Sequence, residues 1–191
     1  ALALAAATLA GCAAWVGDRT PARQNDVCAM FAQHPHWLKA ARKSERRWGA
    51  PVSAQMAIIW RESSFVADAR PPKKSRFFGL VSWGRVSSAY GYSQALDGTW
   101  REYLNDVGRS STLTRRDRFS DAVDFVGWYM AKTKQRNGVA MGDVVSHYLN
   151  YHEGHGGFRR GTYRSKAWLL RAARQVSAMA GRYLKQLRRC G

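Results

Sequence analysis

The 191-residue chain carries 31 Lys and Arg against 13 Asp and Glu, a formal net charge of +18, with 46% apolar and 12% aromatic residues that include 8 Trp. That composition can fill the core of one globular domain, and it excludes intrinsic disorder. No apolar run reaches the roughly 18–20 residues of a membrane-spanning helix, so a polytopic membrane protein is excluded too. Positive charge is spread from Arg42-Lys43 through Arg115-Arg116 to Arg188-Arg189 rather than gathered in a terminal block. Such a surface attracts any polyanion, whether nucleic acid, anionic lipid or a cell-wall polymer.

In chain order, Ala1 to Cys12 is apolar and uncharged, and reads as the core of an export signal. Its end, Leu9-Ala10-Gly11-Cys12, resembles a bacterial lipobox, in which the Cys is lipidated and anchors the protein to a membrane. An ordinary signal with small residues at its cleavage site is the alternative. The expected organisation is a signal remnant over 1–11, a lipidated Cys12 opening a polar tether over 12–27, and one domain over 28–190. Ala13 in place of Asp after the Cys suggests the outer membrane, facing the periplasm. Cys28 and Cys190 then remain, as a disulfide pair or as two free thiols, in a compartment where disulfides persist. In the cell envelope nucleic acid is not an expected partner, and a monomer is expected.

Helical signals dominate the rest. Trp37 to Trp48 is a charged amphipathic segment stopped by Gly49, and Pro51 opens a second helix with Val52, Met56, Ile59 and Phe65 on its apolar face. Pro71-Pro72 closes that region. Residues 73–91, with three Gly and several Ser, read as a loop or a short irregular hairpin. Helices follow over Asp97 to Asn105, Asp121 to Lys134 and Asp143 to Tyr151, the last broken at Gly154, Gly156 and Gly157. In the final helix Trp168, Ala172, Val176, Met179, Tyr183 and Leu187 repeat at helical spacing. No alternating strand pattern competes, so the fold class is mainly α.

With so few acidic residues, each can be weighed. Asp97, Asp121 and Asp143 sit at helix starts, where a carboxylate meets free N–H groups. Glu45, Glu102 and Asp106 lie among cations on helical segments. Glu62 differs, because it follows the apolar run Ala57-Ile58-Ile59-Trp60 and lies at the C-terminal end of its helix. Burial and the helix dipole both disfavour its charge there, and a carboxyl so raised can act as a general acid near neutral pH. A surface carboxylate paired with Arg61 is the bland alternative.

Ile59-Trp60-Arg61-Glu62-Ser63-Ser64-Phe65 looks like the Glu-Ser motif of soluble-type lytic transglycosylases, in the lysozyme-like superfamily. Ser88-Ala89-Tyr90-Gly91-Tyr92-Ser93-Gln94 is similar to that family's Gly-x-x-Gln motif, and Asn150-Tyr151-His152-Glu153-Gly154 falls where the family has Ala-Tyr-Asn-Ala-Gly. The motifs occur in the family's order, and the resemblance spans roughly Ala29 to Leu187. It implies a lysozyme-like α-helical domain with a small irregular β or loop region beside the cleft. It also implies cleavage of peptidoglycan glycan strands between N-acetylmuramic acid and N-acetylglucosamine, with 1,6-anhydromuramic acid ends formed by a single catalytic Glu, here Glu62.

Carried over by position, Ser63 and Gln94 contact substrate, Tyr92 lines the cleft, and Tyr151 orients Glu62 within the substrate site. His152 replaces the family's Asn and Glu153 its small residue, so both are candidates for altered roles. Trp60, Trp83 and Trp100 are candidate sugar platforms, and the basic segment Lys73 to Arg85 could touch peptide-stem carboxylates. No metal-ligand spacing, phosphate loop or cofactor motif occurs, so neither metal nor cofactor is expected. The competing readings are a hydrolytic muramidase, with Asp68, Asp97 or Glu153 as a second carboxylate, and a non-catalytic peptidoglycan-binding lipoprotein.

Overall fold

The computed structural model describes residues 18–71, 73–76, 81–85 and 87–190. The signal and lipobox reading, with Cys12, lies outside these residues. So do the side chains of Trp83 and of the basic segment 73–85.

Seven helices are present among the described residues: α1 Val27–Gln33, α2 Pro35–Trp48, α3 Val52–Ser63, α4 Asp97–Val107, α5 Phe119–Asn137, α6 Val144–Arg160 and α7 Ala167–Cys190. Between α3 and α4, β1 Lys73–Arg76 pairs antiparallel with β2 Val81–Arg85, with a register irregularity between Lys73 and Ser75. The fold is thus mainly α, with one small hairpin among the described residues.

Local chemistry accounts for the helix ends. Asp26 caps α1 by accepting from Ala29 N at 3.0 Å, and Pro35 opens α2 where its missing N–H is not needed. Gly49 ends α2 in the left-handed conformation, at φ 72°. Within α3, every residue from Val52 to Ile59 is buried, because α2 covers one side of it, α5 another and α7 a third. The catalytic candidate therefore rides on a helix with little room to move.

Trp37 forms the centre of the core. Fully buried, it stacks on Phe119 at 4.1 Å between ring centres, on Phe65 at 5.6 Å and on His34 at 4.3 Å. A second cluster joins Trp100, Tyr103, Phe125 and Trp128, and Asp124 beneath it accepts from Trp48 Nε1 at 2.9 Å and Tyr103 Oη at 2.7 Å. Trp100, 6% exposed, belongs to this core and is no sugar platform.

Three sequence expectations change. Residues 18–27, read as tether, lie against the domain: Asp18 accepts from the Trp37 indole at 2.7 Å, Pro21 is buried, and Gln24 donates to Ser64 O at 2.9 Å. The cause is the buried indole's need for an acceptor, which no periodicity announces. Helix α5 begins at Phe119, before Asp121, because Phe119 is part of the Trp37 stack. Helix α6 is broken at Gly154 as expected, at φ 72° and ψ 159°, but helical geometry resumes at once and runs through Gly156 and Gly157 to Arg160.

Cys28 and Cys190 are bridged, with Cα atoms 5.8 Å apart, tying the start of α1 to the end of α7. The cross-link closes 162 residues, which on the chain-entropy account restricts the unfolded state by about 4–5 kcal/mol at most. A double Cys28→Ser, Cys190→Ser protein should keep its helical circular dichroism but lose roughly 2–4 kcal/mol in denaturant unfolding.

Candidate active site

Helix α3 ends abruptly just after Glu62. Ser64 and Phe65 both take left-handed backbone, at φ 51° and 59°, and the Ser64 N–H closes the helix on Trp60 O at 2.9 Å. Phe65 is wholly buried against Trp37, and that packing holds a backbone which non-glycine residues otherwise avoid. Glu62 is itself half-buried, with its carboxyl enclosed. Burial pushes that carboxyl up to about 7, against the opposing pull of a hydrogen bond from Tyr148 and the Arg61 charge. A group titrating there is protonated in a large fraction of molecules at neutral pH and can both give and take a proton.

Helix α6 supplies the partners. Tyr148 and Tyr151 stand one turn apart on its inner face, and the Tyr148 hydroxyl bonds to the Glu62 carboxyl. Burial, reinforced by the Glu62 charge, holds the Tyr148 hydroxyl far above its ordinary range, so it stays protonated and donates to Glu62 while its oxygen accepts from Arg61. Tyr151 adjoins the same carboxyl electrostatically, but its hydroxyl donates to Ser93 O at 2.6 Å. The residue hydrogen-bonded to Glu62 is therefore Tyr148, which the sequence reading missed. Its spacing from Tyr151 was the available signal.

The Gly-x-x-Gln segment has a steric logic. Gly91 sits at φ 78°, and a Cβ there would lie 2.2 Å from Arg116 O, so only glycine fits. Gln94, also left-handed at φ 49°, donates from Nε2 to Ala69 O at 2.8 Å and Gly91 O at 2.9 Å. It thereby ties this loop to the chain leaving α3. Tyr92, expected to line the cleft, does not: it is 0% exposed and packs edge-on against Trp37 and Phe119. The side chain points inward from the turn that Gly91 makes. Ser63 is buried and spends its hydroxyl on Ile59 O at 3.2 Å, within its own helix.

A cavity of about 210 Å³ opens beside these groups, lined in part by Gln94, Leu96, Tyr129, Tyr151, His152 and Glu153. Trp60 is half-buried against the core. His152 is exposed, meets Glu153 Oε1 at 3.1 Å and stands edge-on to the half-exposed Trp168 at 5.0 Å. Glu153 is tightly held, by Lys166 Nζ at 2.7 Å and 2.9 Å and by the Thr162 hydroxyl. Burial opposes its charge, but the bonds from Lys166, Thr162 and His152 outweigh it and bring its carboxyl down to about 2. Asp97 is paired with Arg116 at 2.8 Å, and Asp68 is exposed. Among the described residues no group of three or more His, Cys, Asp or Glu is placed to hold a metal ion, and no helix is long and apolar enough to cross a membrane.

A family model described as the transglycosylase SLT domain matches residues 1–190. The chain belongs to the transglycosylase SLT domain family. It is accordingly a lytic transglycosylase at family level, with peptidoglycan as its substrate. No curated protein and no solved structure matches it. In this SLT domain all three motifs converge on the end of α3: Glu62 on the helix itself, Gln94 through Ala69 O, and Tyr151 through Ser93 O.

The raised Glu62 carboxyl has a consequence for stability. Folding lifts it from 4.5 to about 7, so the native state holds the proton more tightly than the unfolded state. Its contribution is complete below pH 4.5 and is lost as pH rises through 7. Between those limits unfolding free energy should fall by roughly 2–3 kcal/mol. A Glu62→Gln protein should lack this slope and be the more stable form at pH 8 in urea titrations.

Proposed function

We propose that this SLT domain cleaves the β-1,4 bond between N-acetylmuramic acid and N-acetylglucosamine with Glu62 as sole acid and base, leaving 1,6-anhydromuramic acid ends. The observation that carries the reading is the enclosed Glu62 carboxyl, raised to about 7 and met by the Tyr148 hydroxyl. Protonated Glu62 donates to the glycosidic oxygen, the bond from that oxygen to the anomeric carbon breaks, and its electron pair stays with the oxygen. The resulting carboxylate takes the proton of the muramoyl 6-hydroxyl, whose oxygen bonds to the anomeric carbon. Glu62 ends protonated and no water is consumed. Tyr148 steadies the carboxylate between the two transfers by donating to it.

Hydrolysis would need a second carboxylate to activate water. Of the three candidates, Glu153 is locked to Lys166 and Thr162, Asp97 is bound to Arg116, and Asp68 is exposed. This favours the intramolecular nucleophile. Gln94 and His152, at the cavity beside Tyr151, are the proposed sugar contacts. The proposed location is the cell envelope, with the domain lipid-anchored at Cys12 and facing the periplasm. The Cys28–Cys190 bridge supports an oxidising compartment.

Mass spectrometry of digested peptidoglycan tests the reaction. Muropeptides one water lighter than hydrolysis products, with turnover reduced at least about a thousandfold in Glu62→Gln, are expected. Products of full hydrolytic mass would assign a muramidase instead.

A further inference from the structure

We infer that Arg70 forms a carboxylate-binding site for the peptide stems of the glycan strand, separate from the sugar cavity. The inference rests on the peptidoglycan reading above and concerns which part of that substrate is recognised where. A second cavity of about 450 Å³, which shares no lining residue with the first, is lined in part by Arg70, Ser87, Ser88, Tyr90, Asp97 and Arg116. It adjoins the cleft through Ala69, whose carbonyl accepts from Gln94 Nε2 and Gly91 N and which immediately precedes Arg70.

The hydrogen-bonding inventory of this cavity is one-sided. The Ser87 hydroxyl accepts from Ala89 N at 3.0 Å and the Ser88 hydroxyl from Asp97 N at 3.2 Å, so each can turn its own O–H to a ligand. Arg116 is engaged with Ser88 O, Ala95 O and Asp97 Oδ1. The one carboxylate on the wall, Asp97, is thereby committed. Arg70 makes no ion pair with any described residue. Its guanidinium lies 4.0 Å over the Tyr90 ring, and Tyr90 is itself fixed by donating to Asp117 at 2.9 Å.

A guanidinium held over a ring keeps its N–H groups for a carboxylate, which it can meet in two parallel bonds. With Arg70 and Arg116 against the single carboxylate of Asp97, the cavity offers a net positive charge beside its hydroxyl donors. In peptidoglycan the groups carrying carboxylates are the peptide stems, which branch from the muramoyl units of the same strand. A strand seated at Glu62 can present a stem carboxylate to Arg70 while its sugars occupy the cavity beside Tyr151. Ser87 and Ser88 supply the additional donors.

The test compares glycan strands carrying stems with the same strands stripped by an amidase, using the full chain and its Arg70→Ala and Arg70→Lys forms. Arg70→Ala should raise KM on stem-bearing strands roughly three- to tenfold, with kcat little changed and with stripped strands unaffected. Arg70→Lys should recover only part of this, because it keeps the charge but loses the planar stack. Equal effects on both substrates, or no effect, would overturn the proposal. Equilibrium binding of both strand types to Glu62→Gln and Glu62→Gln/Arg70→Ala proteins reads the site without turnover. Stem-dependent binding lost with Arg70 would uphold the carboxylate site even if the catalytic reading failed, and stem-independent binding would refute it.

Discussion

The two left-handed residues that end α3 set the chemistry of the cleft. Had the helix run on past Ser63, Glu62 would be an ordinary mid-helix residue flanked by backbone. Instead the chain turns at Ser64 and Phe65, and the Phe65 ring is driven into the Trp37 stack. Each non-glycine residue held in that conformation costs on the order of 1 kcal/mol. Burial of Phe65, wholly removed from solvent, offsets this with about 1.5–3 kcal/mol. The aromatic core therefore stabilises the turn, and the turn leaves the Glu62 carboxyl at a helix C-terminus, where charge is disfavoured.

The surrounding loops are fastened to that point by backbone carbonyls. Ala69 O receives both Gly91 N and Gln94 Nε2, and Ser93 O receives the Tyr151 hydroxyl. The second and third motifs are thus connected to each other and to the chain leaving α3 without a direct bond to the acid. Their main work is geometric. Gly91 permits a backbone approach that any side chain would block, Gln94 closes the turn, and Tyr151 joins the turn to α6. Among the described residues it is Tyr148 that bonds to the carboxyl itself, which separates positioning of the loops from tuning of the acid.

The sequence made the helices legible because their burial is periodic, as in α7, where Ala172, Val176, Ala180 and Tyr183 form the covered face. Glu62 could be picked out from its apolar run and its place at a helix end. What periodicity could not supply was direction. Tyr92 sits within a recognisable motif yet points into the core, because the conformation of Gly91 decides which way the next side chain faces. Residues 18–27 carry polar, loop-like composition and still pack, since Asp18 accepts from Trp37 and Gln24 donates to Ser64 O and accepts from Tyr183, all distant in the chain. Tyr148 was hidden for a related reason: its value lies in what it touches across the fold, and contacts between α3 and α6 are not written in either helix alone.

Direct titration of the Glu62 carboxyl by carbon-13 NMR, with Glu62→Gln as the assignment control, tests the central claim. The account predicts a midpoint near 7, moving higher in Tyr148→Phe because the donor that favours the carboxylate is removed. A midpoint near the ordinary 4.5, unmoved by Tyr148→Phe, would contradict it.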